Sequence, residues 1–104
     1  MKKVVFSESS KHDLREIWTW IAIDSVGAAD AVIDRIRTEI ARIGNSPGIG
    51  HRRFDLSGNR DYLFWACGRY LIVYEDVAEF VAILAILHGS RDIPAELRNR
   101  EPGE

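Results

Sequence analysis

The last third of the chain contains two near-continuous apolar runs, and these runs constrain the fold more than any other feature. They cover residues 69–74 and 80–87 and are joined by a short polar link at residues 75–79. Runs rich in β-branched and aromatic residues predict strands that are covered on both faces of a sheet. The second run stops abruptly at residues 88–92, His-Gly-Ser-Arg-Asp. A tight cationic turn at the end of a buried strand is a natural place for an anion-binding or catalytic group.

The N-terminal part of the sequence predicts a strand followed by an amphipathic helix. Residues 2–7 have strand character, and Ser9 or Ser10 can then cap a helix. Asp13 is expected in the first turn, where a carboxylate favours the positive end of the helix. Apolar residues recur at helical spacing along one stripe, and Trp18 falls on it. We therefore expect Trp18 to pack in the core.

A second helix and a three-stranded meander complete the predicted elements. Residues 24–27 break the first helix, and the second begins near Ala28, so the two helices should pack as an antiparallel hairpin. Residues 46–58 contain three glycines and a proline and predict an ordered loop. A strand at residues 61–65 and a hairpin turn at residues 66–68 lead into the two apolar strands.

This order of elements predicts an α+β fold. The predicted architecture is an N-terminal strand, a helical hairpin packed on an antiparallel sheet, and a short C-terminal helix starting at Pro94. Residues 1–98 are assigned to one domain. Residues 99–104 are assigned to a polar C-terminal tail that we expect to be mobile.

Composition excludes several classes of function. The net charge of −2 gives no basic field that would draw the chain to DNA on its own. The single cysteine, Cys67, excludes an intramolecular disulfide, and the longest apolar stretch is too short to cross a membrane. No metal-ligand spacing and no phosphate-binding glycine loop is present, so neither metal nor cofactor is expected. These features predict a cytoplasmic protein.

The ordered set of motifs resembles the ParE/RelE superfamily of bacterial toxins, and its ParE branch most closely. The matching residues, spread over roughly residues 3–93, are Phe6-Ser7, Asp13-Leu14, Ile17-Trp18, Trp20-Ile21, Ala29, Ile33-Asp34, Ile36, Pro47-Gly48, Gly50-His51-Arg52, Asp55-Leu56, residues 69–74 and residues 87–92. The resemblance implies the toxin of a type II toxin–antitoxin system, as in plasmid stabilisation. It also implies a cognate ParD-like antitoxin that can form a hetero-oligomer with the toxin. In the ParE branch the implied action is inhibition of DNA gyrase by protein–protein binding.

The resemblance leaves two alternatives open. RelE-like members cleave messenger RNA on the ribosome, and here Arg69, His88 and Arg91 are the candidate catalytic residues. Cleavage needs a base, cations around the phosphate and an acid for the leaving oxygen. Residues 92–97 supply no tyrosine, histidine or lysine, so that set is incomplete, and His88 also fits a structural role with a bond to backbone. The other alternative is a non-toxic binding module with the same fold.

Arg91 is the leading candidate for binding the target or the antitoxin. It either pairs with the adjacent Asp92 or faces the exposed side of the sheet and contacts a partner. Arg98 belongs to the same C-terminal segment and is a further candidate. Trp20 lies about 200° around the helix from Trp18, off the apolar stripe. It is therefore either an exposed interface anchor or packed against the following loop.

Arg52 and Arg53 form a compact basic patch in the glycine-containing loop. One interpretation is a solvated loop in which Asp55 neutralises the charge. The other is a contact to an acidic antitoxin segment that folds on binding.

Overall fold

The computed structural model describes residues 1–100, and these residues form a five-stranded sheet with helices on both faces. The strands are β1 (Lys3–Phe6), β2 (His51–Arg52), β3 (Leu63–Cys67), β4 (Tyr70–Asp76) and β5 (Phe80–His88). The helices are α1 (Glu8–Ala22), α2 (Val26–Asn45), α3 (Phe54–Ser57) and α4 (Ile93–Arg98), with a 3₁₀ turn at Pro47–Ile49. The order of strands across the sheet is β1-β5-β4-β3-β2.

The predicted fold class is confirmed. Strands β3, β4 and β5 form the expected antiparallel meander, and α1 and α2 pack against each other as a helical hairpin. The N-terminal strand β1 is the parallel member, paired with β5 from Lys3 opposite Phe80 to Phe6 opposite Ile83. The helical hairpin lies between β1 and the meander in sequence, and β2 adds a two-residue edge inside the segment predicted as a loop.

The central strands are covered on both faces, as their apolar runs predict. On one face the helical hairpin buries residues such as Ile36 and Ile43 against Ile72 and Ile83. On the other face α4 covers a second core. That core contains Tyr62, Phe64, Val73, Ala85, Leu87, Ile93 and Leu97. The C-terminal helix is therefore part of the hydrophobic structure of the domain.

Helix α1 begins two or three residues earlier than the sequence predicts. Ser7 is the N-cap, with extended backbone angles (φ −68°, ψ 159°) and a side chain that accepts the N–H of Ser10. The prediction of a cap at Ser9 or Ser10 is wrong because both residues already lie within the helix, where Ser10 is fully buried. Asp13 therefore moves past the first turn, and its side chain is buried instead of lying at the helix end.

Trp18 is not a core residue. It is 37% exposed, and its indole N–H donates to the Asp30 carboxylate on α2 at 2.8 Å. The indole thus forms a hydrogen bond between α1 and α2 at the solvent-exposed edge of their contact. The prediction of core packing is wrong because the residues of α1 that are buried against the sheet are Ser10 and Asp13.

A β-bulge in β5 changes which of its backbone groups face the edge beside α1. Val73 pairs with Ala85 and Tyr74 pairs with Ile83, which leaves Leu84 as the extra residue. Strand β1 ends at Phe6, so within residues 1–100 the edge of β5 beyond the bulge has no strand partner there. Side chains of α1 and its cap replace the missing strand. The Ser7 hydroxyl donates to the Leu84 carbonyl at 3.2 Å, and Asp13 Oδ2 accepts the Ile86 N–H at 2.9 Å.

Asp13 also binds Arg100, which lies 87 residues further along the chain. Arg100 Nη1 and Nη2 donate to the two carboxylate oxygens at 2.5 and 2.8 Å. The side chains of Asp13 and Arg100 are only 4% and 18% exposed, and the carboxylate raises the pKa of the Arg100 guanidinium. The expectation of a mobile tail from Asn99 is therefore corrected for Arg100, which is anchored in the fold. Residues 101–104 of the predicted tail lie outside the described residues.

Tyr74 fixes the segment that follows α2. Its side chain is fully buried, and its hydroxyl donates to the Pro47 carbonyl at 2.5 Å and accepts the Gly50 N–H at 2.9 Å. A Cβ atom at Gly50 would lie 2.5 Å from this hydroxyl oxygen, so the close approach requires glycine. Burial raises the pKa of the Tyr74 hydroxyl above its ordinary value.

Replacing Asp13 is expected to destabilise the domain strongly. Asp13→Ala leaves the Arg100 guanidinium and the Ile86 N–H buried without their acceptor, which should lower the free energy of unfolding by about 3–5 kcal/mol. Urea denaturation measures this loss. The matched control is Asp34→Ala on the exposed side of α2, which should change the stability by less than about 0.5 kcal/mol. Equal denaturation midpoints for the two variants would contradict the assignment.

The Tyr74 hydroxyl should make the stability depend on alkaline pH. Because its pKa is raised in the folded state, its contribution is fully present below the unfolded pKa of about 10 and falls as pH rises through the folded pKa. Tyr74→Phe should be less stable at pH 7 by about 1 kcal/mol, since two backbone partners lose their bonds, and should lose less stability above pH 10 than the parent. Unfolding free energies measured from pH 7 to 11 test this. Tyr70→Phe should keep the alkaline loss, because it retains Tyr74.

Candidate interface groove

An open groove of about 720 Å³ lies where α1, the end of β5 and α4 meet. Helix α1 lines it with residues that include Glu16 and Trp20, and the end of β5 contributes His88. Arg91 and Arg100, which flank α4, line the opposite side. The groove therefore collects residues from both ends of the sequence, and it includes two of the predicted binding residues.

Trp20 stands at the rim of this groove with 75% of its surface exposed. Ile23, three residues later and also in the lining, is 72% exposed. The predicted position off the buried stripe is thus confirmed, and the indole is not packed away against the following loop. A large exposed indole beside an exposed isoleucine is an apolar surface suited to a protein partner.

His88 is held by its own turn. Its Nδ1 accepts the backbone N–H of Ser90 at 3.1 Å and lies 2.7 Å from the Ser90 hydroxyl. Its ring meets the Tyr70 ring edge to face, with 5.4 Å between ring centroids. Because Nδ1 is an acceptor, the neutral ring carries its proton on Nε2. The bond to backbone agrees with the structural interpretation of His88.

Arg91 pairs with Glu96 and not with its neighbour Asp92. Arg91 Nη1 donates to Glu96 Oε1 at 2.7 Å, and the Arg91 side chain remains 58% exposed. Asp92 instead caps α4, because its carboxylate accepts the N–H of Ala95 at 3.2 Å. Of the two interpretations left open for Arg91, pairing with Asp92 is therefore not what the structure shows, and Arg91 presents the rest of its guanidinium to the groove.

Two of the three candidate catalytic residues, His88 and Arg91, line the groove. Arg69 lies in the turn before β4, beside the end of β5, and is not among the residues that line the groove. The backbone carbonyl of Arg69 accepts the Gly89 N–H at 2.8 Å, so its main chain supports the end of β5.

The charges that residues 1–100 contribute to the groove balance one another. These residues supply three arginines and three carboxylates to its lining. They are Arg15, Arg91, Arg100, Asp13, Glu16 and Glu96. Two of the arginines are already in ion pairs with these carboxylates. The arrangement suits the recognition of a protein surface better than the capture of a phosphodiester, which needs a cluster of unpaired cations.

The other three candidate arginines lie outside the groove lining. Arg52 Nε donates to Asp61 at 3.0 Å, and Arg53 forms a bidentate pair with Asp55 at 3.0 and 2.8 Å. This pair lowers the pKa of Asp55 and raises that of Arg53, so the predicted neutralisation by Asp55 is confirmed for Arg53. Arg98 is exposed on α4 but does not contribute to the groove.

Sequence reasoning missed Asp13 and Arg100. Asp13 lies four residues before Ile17 and three after Ser10, so it falls on the stripe of α1 that faces the sheet. A carboxylate on such a stripe predicts a buried group that needs a partner. The partner could not be inferred, because nothing in the local pattern singles out Arg100 among the arginines of the second half.

Other kinds of site receive no support from the described part of the chain. Residues 1–100 contain no group of three histidine, cysteine or acidic side chains that could hold a metal ion. No helix among these residues is long and apolar enough to cross a membrane. Cys67 is buried, and burial raises the pKa of its thiol, which makes it a poor nucleophile.

Comparison with known proteins adds the family. Residues 4–93 match the family described as the ParE toxin of the type II toxin–antitoxin system parDE. The search of curated proteins gave no match. Among solved structures, a chain described as the chromosomal ParDE TA system from P. aeruginosa has a similar fold. The TM-score is 0.71 at 13% sequence identity, and the match covers 85% of this chain and 96% of that one. Since the family match spans most of the sequence, this chain belongs to the ParE toxin family of type II toxin–antitoxin systems.

Proposed function

We propose that the chain is a toxin that inhibits DNA gyrase by protein–protein binding and is neutralised by a cognate antitoxin. The observation that carries the proposal is the match of residues 4–93 to the ParE toxin family. The balanced charges of the groove support binding as the mode of action. A gyrase inhibitor has to act in the bacterial cytoplasm, so cytoplasmic localisation is part of the proposal.

The target surface in this proposal is the groove between α1 and α4. Trp20 supplies a rigid, exposed apolar anchor, and Arg91 supplies guanidinium donors that Glu96 leaves unused. Tryptophan and arginine are the side chains that most often dominate the binding energy of protein interfaces. A net charge of −2 agrees with a protein target and gives the chain no general affinity for DNA.

The antitoxin in this proposal acts by covering the same groove. Its binding segment would place an apolar side chain against Trp20 and Ile23 and a carboxylate against Arg91. Because antitoxin and target would then compete for one surface, neutralisation needs no second conformation of the toxin. A ParD-like antitoxin and a toxin–antitoxin hetero-oligomer are the corresponding partner and assembly.

The purified chain, freed from any antitoxin, should inhibit DNA supercoiling by gyrase and cause cleaved DNA to accumulate. The assay measures the supercoiled fraction of a plasmid against toxin concentration. Circular dichroism of the same sample establishes that the protein is folded. Unchanged supercoiling by folded protein would remove gyrase as the target. Cleavage of messenger RNA on purified ribosomes would then favour the ribonuclease alternative.

Substitutions in the groove should weaken the inhibition more than matched substitutions elsewhere. Trp20→Ala and Arg91→Ala should each raise the half-inhibitory concentration by roughly 30-fold, the effect of losing an interface hot spot of about 2 kcal/mol. Phe54→Ala removes another exposed aromatic, and Arg42→Ala removes another exposed arginine beside a glutamate. Neither control lines the groove, and both should inhibit like the parent. Equal losses in all four variants would contradict the assigned surface.

A further inference from the structure

We infer that Arg100 and Glu96 are positioning residues that hold Arg91 in its binding geometry, through a chain of charges that starts at the buried Asp13. This charge chain consists of four side chains of alternating sign, from Asp13 through Arg100 and Glu96 to Arg91. The inference deepens the proposed function, on which it rests for the role of Arg91. Its geometric part can be tested independently of any target.

The inner end of the charge chain, the Asp13–Arg100 pair, is rigid. Both oxygens of Asp13 bind the Arg100 guanidinium, and one of them also accepts the Ile86 N–H of the interior strand β5. A bidentate pair fixes both the position and the plane of a guanidinium. Arg100 therefore has a defined orientation relative to the sheet.

Glu96 transmits this orientation to Arg91. Arg100 Nη2 lies 3.7 Å from Glu96 Oε2, and Arg91 Nη1 donates to the other oxygen of the same carboxylate at 2.7 Å. The Glu96 side chain is 24% exposed, which is intermediate between Arg100 and Arg91. Each oxygen of Glu96 thus faces one arginine, and losing either arginine would free the carboxylate to rotate.

The outer end of the charge chain, Arg91, keeps guanidinium donors available for a partner. Among the side chains of residues 1–100, Glu96 engages Arg91 through its Nη1, and the Arg91 backbone N–H is bound to the His88 carbonyl at 3.0 Å. A long side chain that is already ordered loses less conformational entropy when it binds. The charge chain therefore favours binding through Arg91 without contacting the partner itself.

Helix α4 has a second, independent attachment to the domain. Ile93 and Leu97 are buried in the core on the α4 face of the sheet, and Asp92 caps the helix. The helix should consequently stay in place when the charge chain is broken, while the Arg91 side chain becomes free to move. This separation makes a positioning role distinguishable from a purely structural one.

The first test is a double-mutant cycle on gyrase inhibition. Glu96→Gln removes the charge between the two arginines and leaves the Asp13–Arg100 pair intact, so the variant should fold. It should raise the half-inhibitory concentration about two- to tenfold in the parent but cause no further loss in the Arg91→Ala background. Arg100→Gln also removes the partner of the buried Asp13 carboxylate and so lowers the stability of the domain; measured at a temperature where circular dichroism shows it folded, it should behave in the same way. An equal loss in both backgrounds would overturn the inference.

The second test needs no target. Nitrogen-15 relaxation of the arginine Nε–Hε groups reports the order of each guanidinium, and Arg91 should become more mobile in Glu96→Gln and Arg100→Gln. Arg42, which belongs to a separate pair with Glu39, serves as the internal control and should not change. Unchanged order at Arg91 would overturn the inference. Lower order at Arg91 in a chain that does not inhibit gyrase would leave the positioning role standing and remove only the proposed function.

Discussion

The structure depends on how the edge of β5 is completed after β1 ends. Beyond Phe6, no strand formed by residues 1–100 lies beside β5 on that side, and the bulge at Leu84 presents the backbone groups of β5 to α1. An unpaired buried N–H costs free energy comparable to a lost hydrogen bond. Asp13 meets this need by accepting the Ile86 N–H, but doing so buries a carboxylate. The buried charge in turn requires a cation, and Arg100 provides it.

This requirement connects the two ends of the chain. A buried carboxylate is tolerated only when it is paired and hydrogen-bonded, so the fold needs the C-terminal segment to reach α1. The connection holds Arg100, which follows α4, against α1, while Ile93 and Leu97 hold α4 itself on the sheet. Both attachments border the groove, so one side of it is held by the residues that complete the edge of one strand.

The elements that the sequence predicts correctly are those with a local signal. The apolar runs at residues 69–74 and 80–87 identify strands buried on both faces, and helical periodicity identifies the hairpin and the exposed position of Trp20. Contacts between distant residues have no such signal. The parallel pairing of β1 with β5 and the Asp13–Arg100 pair depend on the tertiary arrangement. The sequence left two interpretations of Arg91 open, and its actual partner, Glu96, was not among them because Asp92 is used to cap α4.

The same carboxylate explains why stability and recognition are linked in this domain. Asp13 holds Arg100 for the sake of the buried strand, and Arg100 then stands 3.7 Å from Glu96, which binds Arg91. The Arg100 cation, which the fold requires, thereby also lines the groove. Substitutions that relieve the buried charge by replacing both Asp13 and Arg100 with apolar residues could preserve the fold, as for other buried ion pairs. Such substitutions would still remove the Arg100 guanidinium beside Glu96, and Glu96 would then hold Arg91 less firmly. Recognition through Arg91 therefore requires the ionic Asp13–Arg100 pair even where folding alone does not.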